Sequence, residues 1–128
     1  MGSYKARADV TKNRLYIVLD GFLTDLQARE CADLTIAECR KLRPGFDVIT
    51  DITTAQPSTA KGAEDLLRAM IFLKEHGMGR PIRVMQNPKE MTLGSHQMTR
   101  KSKEAGYDVN MAASVEEAEE MLGDRRET

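Results

Sequence analysis

Polar and apolar residues along this chain alternate with two different periods. Tyr4, Ala6 and Ala8 are separated by charged residues, whereas Leu15-Tyr16-Ile17-Val18-Leu19 is continuously apolar. The polar Thr11-Lys12-Asn13-Arg14 between them predicts a hairpin, with an edge strand over residues 4–10 and a central strand over 15–19, closed by Asp20-Gly21. From Thr24 the period lengthens. Gln27, three residues on, completes a capping box, and Ala28, Cys31, Ala32, Thr35, Cys39 and Leu42 share one helical face opposite Arg29, Asp33 and Arg40. Pro44-Gly45 breaks that helix, and Phe46 to Ile52, rich in β-branched residues, reads as a buried strand.

A polar loop, Thr53 to Thr59, leads into a second helix from about Ser58 to His76. Ala63, Leu66, Leu67, Met70 and Leu73, with Ile71 beside them, form its stripe, and Gly77 is placed to end it in the left-handed conformation. Ile82-Arg83-Val84-Met85 predicts a fourth strand. Asn87-Pro88-Lys89-Glu90 opens a third helix with a thin apolar stripe, Met91, Met98 and Ala105, ended by Gly106. Tyr107 to Met111 predicts a fifth strand. A capping box from Ser114 to Glu117 starts a last helix, with Val115, Ala118, Met121 and Leu122 inward and Gly123 as its stop. The order ββαβαβαβα predicts an α/β domain over residues 1–123, followed by a frayed tail, 124–128. Its sheet is expected to be mostly parallel with one antiparallel edge strand, and right-handed crossovers pack the helices on its faces.

Composition narrows the function. The chain has 128 residues, 41% hydrophobic and 30% charged, with a formal net charge of -1. The near-neutral charge argues against nucleic acid as partner, and the absence of Trp with only 5% aromatics removes a base-stacking platform. Eight methionines point to an aliphatic, adaptable core. Cys31 and Cys39 lie on one helix about 12 Å apart by rise per residue, too far for a disulfide. They read as buried thiols of a reducing compartment, and with no bilayer-length apolar run and no signal-peptide core the expected location is the cytoplasm.

The element order, the run Pro44-Gly-Phe-Asp-Val-Ile-Thr-Asp-Ile-Thr53, and the later Ala105-Gly-Tyr-Asp-Val109 and Ser114-Val-Glu-Glu-Ala-Glu-Glu-Met-Leu122 resemble the STAS family, in particular its small SpoIIAA-like (anti-anti-sigma factor-like) members. The resemblance spans nearly the whole chain and implies a non-enzymatic bacterial signalling domain, without a cofactor, that binds a protein partner. In such proteins an Asp-Ser-Ser/Thr-Gly motif at the start of the second helix carries a serine phosphorylated by a partner kinase that is also an anti-sigma factor. Ser58 and Thr59 match those hydroxyls by position. Pro57 stands where the Asp is expected, and Ala60-Lys61 where the Gly follows.

Two roles are open for Ser58 and Thr59. One is a plain helix cap. The other is a switch, since a phosphate there meets unsatisfied N–H groups and the positive end of the helix dipole. Thr53, Thr54, Gln56, Pro57 and Lys61 complete the expected interaction loop. Other constellations carry less. Asp47 and Asp51, on one strand face, are about 13 Å apart, beyond the range of a glycosidase pair. The sequence argues against a phospho-accepting receiver, because Ala112-Ala113-Ser114 follows the fifth strand where that family has a lysine. His76 and His96 lack neighbours at metal-ligand spacing, Gly77-Met-Gly79 is no phosphate loop, and neither cysteine has a nearby base. Arg80, Arg83, Lys89, Arg100, Lys101 and Lys103 gather around the fourth strand and third helix, and Glu116, Glu117, Glu119, Glu120 and Asp124 make the chain's end acidic. Both runs read as solvated faces, or else as an anion-binding or partner-docking patch. A homodimer is compatible with this pattern. The alternative function is a carrier or sensor of a small apolar ligand or lipid, which requires a pocket of more than about 300 Å³.

Overall fold

The computed structural model describes residues 2–85, 93–106 and 109–123, the second segment without the side chains of 93–96, 98 and 99. In chain order the elements are β1 (Ser3–Asp9), β2 (Arg14–Gly21), α1 (Asp25–Cys39), β3 (Asp47–Ala55), α2 (Ala60–Glu75), β4 (Pro81–Val84), α3 (Leu93–Ala105), β5 (Asn110–Ala112) and α4 (Val115–Leu122). The strands lie side by side in that same order. β1 is antiparallel to β2, with Ser3 opposite Asp20 and Asp9 opposite Arg14, and the remaining neighbours are parallel. This is the α/β architecture the pattern predicts. The expected cap at Asn87 with Pro88, Lys89 and Glu90, Met91, the side chains of His96 and Met98, Tyr107 and Asp108, and the tail 124–128 lie outside the described residues.

Each connection has a local cause. Asn13 adopts φ 54° in the hairpin, a conformation asparagine tolerates. Its side chain also reaches across to Arg43, donating to the carbonyl at 3.2 Å and accepting from the N–H at 2.9 Å. The hairpin turn is thus tied to the segment that follows α1. Thr24 and Gln27 form the expected capping box at the start of α1. Gly77 ends α2 at φ 98°, where a Cβ would sit 2.9 Å from the Pro44 Cβ, so glycine is needed for both conformation and space.

Two cores result, one on each side of the sheet. Leu15, Ile17 and Leu19 of β2 with Val48 and Ile52 of β3 pack against α1 and α2. On the other face Ile49, Ile82, Val84 and Ala112 pack against Ala118 and Leu122 of α4. The six residues expected on the inner face of the first helix, Ala28, Cys31, Ala32, Thr35, Cys39 and Leu42, are all buried.

The structure corrects several expectations. β3 continues through Thr53, Thr54 and Ala55, because a bulge lets Thr54 and Ala55 pair with Asp20 and Gly21 of β2. On α2, Leu66, Ala69, Met70 and Leu73 face the core, Leu67 is half-buried on the flank, and Ile71 is exposed. Met121 points to solvent while Leu122 takes the inward place. β2 is not fully covered on both faces: Tyr16 is half-buried and Val18 is 36% exposed, because the eight-residue α4 packs on β3, β4 and β5 and meets β2 at Arg14 and Tyr16 near the start of that strand.

Charged groups fasten α4. Arg14, only 2% exposed, donates to Glu119 and, at 3.2 Å, to the Gly123 carbonyl. Tyr16 also donates its hydroxyl to Glu119. Burial comes first among the causes that push the Tyr16 phenol above its ordinary range, and the Glu119 carboxylate adds to it. On the outer edge of β1, the Ala8 N–H donates to Glu38 of α1 at 2.9 Å, which occupies a backbone position an incoming strand would need.

Candidate functional site

The carboxyl end of β3 and the amino end of α2 bring the predicted site residues together. Thr53 is half-buried, and its N–H donates to the Asp51 carboxylate at 3.0 Å. Thr54 is exposed and donates its hydroxyl to Asp20 across the β2–β3 pair. Both therefore belong to the strand rather than to a loop. The exposed Gln56 donates its N–H to the Gly21 carbonyl at 3.0 Å, half-buried Pro57 follows, and Lys61 is exposed in the first turn of α2.

The two hydroxyls at the helix start are not equivalent. Thr59 is the N-cap, and its Oγ1 accepts from the Gly62 N–H at 3.0 Å while donating to the Asp25 carboxylate of α1. Both functions of that hydroxyl are taken. Ser58 stands one residue earlier, half-buried, and its hydroxyl makes no hydrogen bond among the described residues. Its backbone is held instead. Gln97 of α3 accepts from the Ser58 N–H at 2.9 Å and donates to the Ser58 carbonyl at 3.0 Å, a two-bond clamp. Gly62 allows the close approach beneath, because a Cβ there would lie 3.2 Å from the Ala28 Cβ and 3.3 Å from the Ser58 Cβ.

The electrostatics separate them further. Among the described residues, the Ala60 and Lys61 N–H groups have no protein acceptor, as expected in a first helical turn. A dianionic group on Ser58 would meet these donors, the helix dipole and the Lys61 ammonium. The same group on Thr59 would remove the cap and face the Asp25 carboxylate. Gln97 and Asp25, the partners that distinguish the hydroxyls, carry no signal in the sequence. They lie 39 and 34 residues from the groups they hold, on other helices.

The remaining candidates are structural. Asp47 is fully buried and bonded to Arg80. His76 places Nε2 3.0 Å from the Leu42 carbonyl and stacks on Phe72, centroids 5.7 Å apart. Lys101 pairs with Glu64 at 3.0 Å and Glu104 at 3.3 Å, and Arg83 donates to Ser102 at 2.7 Å in the interior. Among the described residues no three His, Cys, Asp or Glu side chains converge as metal ligands, and no helix is long and apolar enough to cross a membrane. A cavity of about 40 Å³ beneath α2, lined by Cys31, Val48, Leu66, Met70 and Arg83 among others, is far below the roughly 300 Å³ of a ligand pocket.

Burial pushes the Cys31 thiol up to about 11 and the Cys39 thiol up to about 12. Neither forms a thiolate near neutral pH, the species that reacts. Native protein at pH 7 is expected to leave both thiols unlabelled by a thiol reagent over minutes, with full labelling once denaturant is added. Rapid labelling of the native form would overturn the burial.

No family model matches the chain, and no curated protein is significantly similar to it. Solved structures do match. One is an uncharacterized protein of the DUF3478 family with a SpoIIAA-like fold from Shewanella loihica PV-4, with TM-score 0.69 and 15% identity, covering 96% of each chain. Another is the anti-sigma factor antagonist SpoIIAA in its unphosphorylated form, with TM-score 0.58 and 22% identity, covering 94% of this chain and 97% of the other. The alternating strands and helices, the antiparallel first strand and these superpositions agree: the chain has a SpoIIAA-like fold.

Proposed function

We propose that residues 1–123 form a cytoplasmic, non-enzymatic regulatory domain that acts by binding a protein partner and is switched by phosphorylation of Ser58. The observation that carries this reading is the division of labour at the start of α2: Thr59 caps the helix, and the Ser58 hydroxyl has no partner among the described residues. The partner surface is the carboxyl end of β3 with the first turn of α2, including Thr53, Thr54, Gln56, Pro57 and Lys61. Its partner is a kinase of the anti-sigma type or another regulator, a reading supported by the likeness to an anti-sigma factor antagonist. Phosphorylation adds about two negative charges at a point the helix end accommodates, so it alters docking without unfolding the domain.

The test uses a partner captured from the native host and four proteins: wild type, Ser58→Ala, Ser58→Asp and Thr59→Ala. Ser58→Asp is expected to weaken binding by about tenfold or more, about 1.4 kcal/mol, with a melting temperature within a few degrees of wild type. Thr59→Ala is expected to do the reverse, losing about 1 kcal/mol of stability as a cap while affinity is kept. Titration calorimetry and thermal melts on the same samples separate the two effects. Equal affinity across all four would eliminate the switch.

A further inference from the structure

Among the described residues, α4 covers β3, β4 and β5 on its sheet face and leaves β1 and most of β2 open. Tyr16, bonded to Glu119, marks the boundary. Beyond it lies a shelf two strands wide, where Val18 is 36% exposed and Lys5 and Arg7 stand on the same face as the cross-strand partners of Val18 and Tyr16. Lys5 has no ion pair among the described residues, and Arg7 lies 4.7 Å above the Tyr16 ring. On the ridge beside this shelf, Glu119 turns inward to Arg14. Glu116 and Glu120 are exposed and have no ion pair among the described residues. They are like charges one helical turn apart, and Glu120 sits in the last turn, where the dipole disfavours an anion. Met121 next to them is 42% exposed. Ridge and shelf thus carry complementary charge, but they lie side by side and cannot meet within one molecule.

We propose that this face binds the same face of a second copy of the chain, with α4 of each protomer lying along the β1–β2 shelf of the other. The register follows from the observed contacts. A twofold axis running parallel to the strands, along the boundary between ridge and shelf, carries each α4 over the opposite shelf and preserves its height along the strands. Glu119 is at the height of Tyr16, to which it is bonded, and Arg7 is directly opposite Tyr16. Glu120 of the second copy therefore arrives at Arg7. α4 runs from the carboxyl end of β5 toward Arg14 and Arg80, at the amino ends of β2 and β4, and β1 runs the same way. One turn back, about 6 Å along the helix, is Glu116. Two residues back, about 6.6–6.8 Å along β1, is Lys5. The spacing and order of the two charge pairs match, and Val18 and Met121 supply apolar area between them. The contact uses neither Ser58 nor the segment before α2, so its outcome and that of the switch are independent.

Sedimentation equilibrium of the purified chain tests it, with circular dichroism confirming that each surface variant is folded. Wild type is expected to dimerise reversibly, and more weakly as salt screens the exposed ion pairs. Lys5→Glu/Arg7→Glu and Glu116→Lys/Glu120→Lys should each lower the dimerisation constant about tenfold or more, since each then opposes like charges. An equimolar mixture of the two variants should dimerise again, because both contacts of the mixed dimer are complementary. The proposal is overturned if wild type stays monomeric up to about 1 mM, the weak end of specific association. A dimer indifferent to the charge reversals, or variants that fail to restore one another, would overturn it as well.

Discussion

Arg80→Ala is expected to destabilise the protein at least as much as Asp47→Ala, although the arginine is half-exposed and the aspartate fully buried. Asp47 begins β3 at 0% exposure and accepts from the Arg80 N–H at 3.1 Å, from Nε at 3.3 Å and from a terminal guanidinium nitrogen at 3.1 Å. That guanidinium also donates to the Leu122 carbonyl at 3.0 Å, so one ion pair joins β3, the approach to β4 and the end of α4. Removing the carboxylate deletes charge-assisted hydrogen bonds, each of about 1.5–3 kcal/mol, but the freed guanidinium can turn to water. Asp47→Ala should therefore cost about 2–3 kcal/mol. Removing the guanidinium instead leaves the carboxylate at 0% exposure with the Arg80 N–H but without the cation that offsets its charge, and breaking a buried pair from that side costs about 3–5 kcal/mol. Asp47→Asn keeps an acceptor for the Arg80 N–H and should fall below both. Urea unfolding of the four proteins checks the ranking. An Arg80→Ala variant within about 0.5 kcal/mol of wild type, the usual range for an ordinary surface substitution, would show that Asp47 is held by other groups.

The elements that were legible are those whose cause is local. The α1 stripe was readable because small apolar residues recur at helical spacing and a capping box marks the start, with Pro44 beyond the end. Gly77 was readable because glycine after an apolar stripe has few other uses. The end of β3 was not. Thr53-Thr54-Ala55 is polar and loop-like in isolation, and becomes strand only because Asp20 and Gly21 offer it a ladder through a bulge. Met121 and Leu122 were both credible inward residues, and which one turns in is decided by the Arg14, Tyr16 and Arg80 contacts that set the roll of α4. The same holds for the site. Position and residue type bring forward Ser58 and Thr59 together. Telling them apart requires Asp25 and Gln97, which only the packing of α1 and α3 against α2 brings near. The open part of the sheet face was hidden for a related reason, since Leu15 to Leu19 looks like a strand buried on both faces until the reach of α4 is known.

Leu66→Asp is expected to abolish cooperative folding, whereas Leu67→Asp should leave a folded protein of lower stability. A helical stripe read from sequence cannot separate these neighbours, because 100° of rotation leaves either at the edge of an apolar arc. The structure separates them. Leu66 is 7% exposed and belongs to the core between α2 and the sheet, lining the cavity with Leu19, Val48 and Met70. Leu67 is half-buried and packs against the rim of that core. Among the described residues the cation lining this cavity is Arg83, which already bonds Ser102. Burial of a carboxylate at position 66 costs several kcal/mol in addition to the roughly 2–5 kcal/mol lost with the leucine side chain, against a total stability of about 5–15 kcal/mol. At position 67 the new carboxylate can turn outward, and the loss is limited to part of a side chain's buried area, about 1–2 kcal/mol. Leu66→Ala, which removes the packing without adding charge, should fall between the two and remain folded. Thermal melts followed by circular dichroism would show it: a cooperative, native-like transition in Leu66→Asp, or its absence in Leu67→Asp, would mean that α2 is rotated about its axis relative to the sheet.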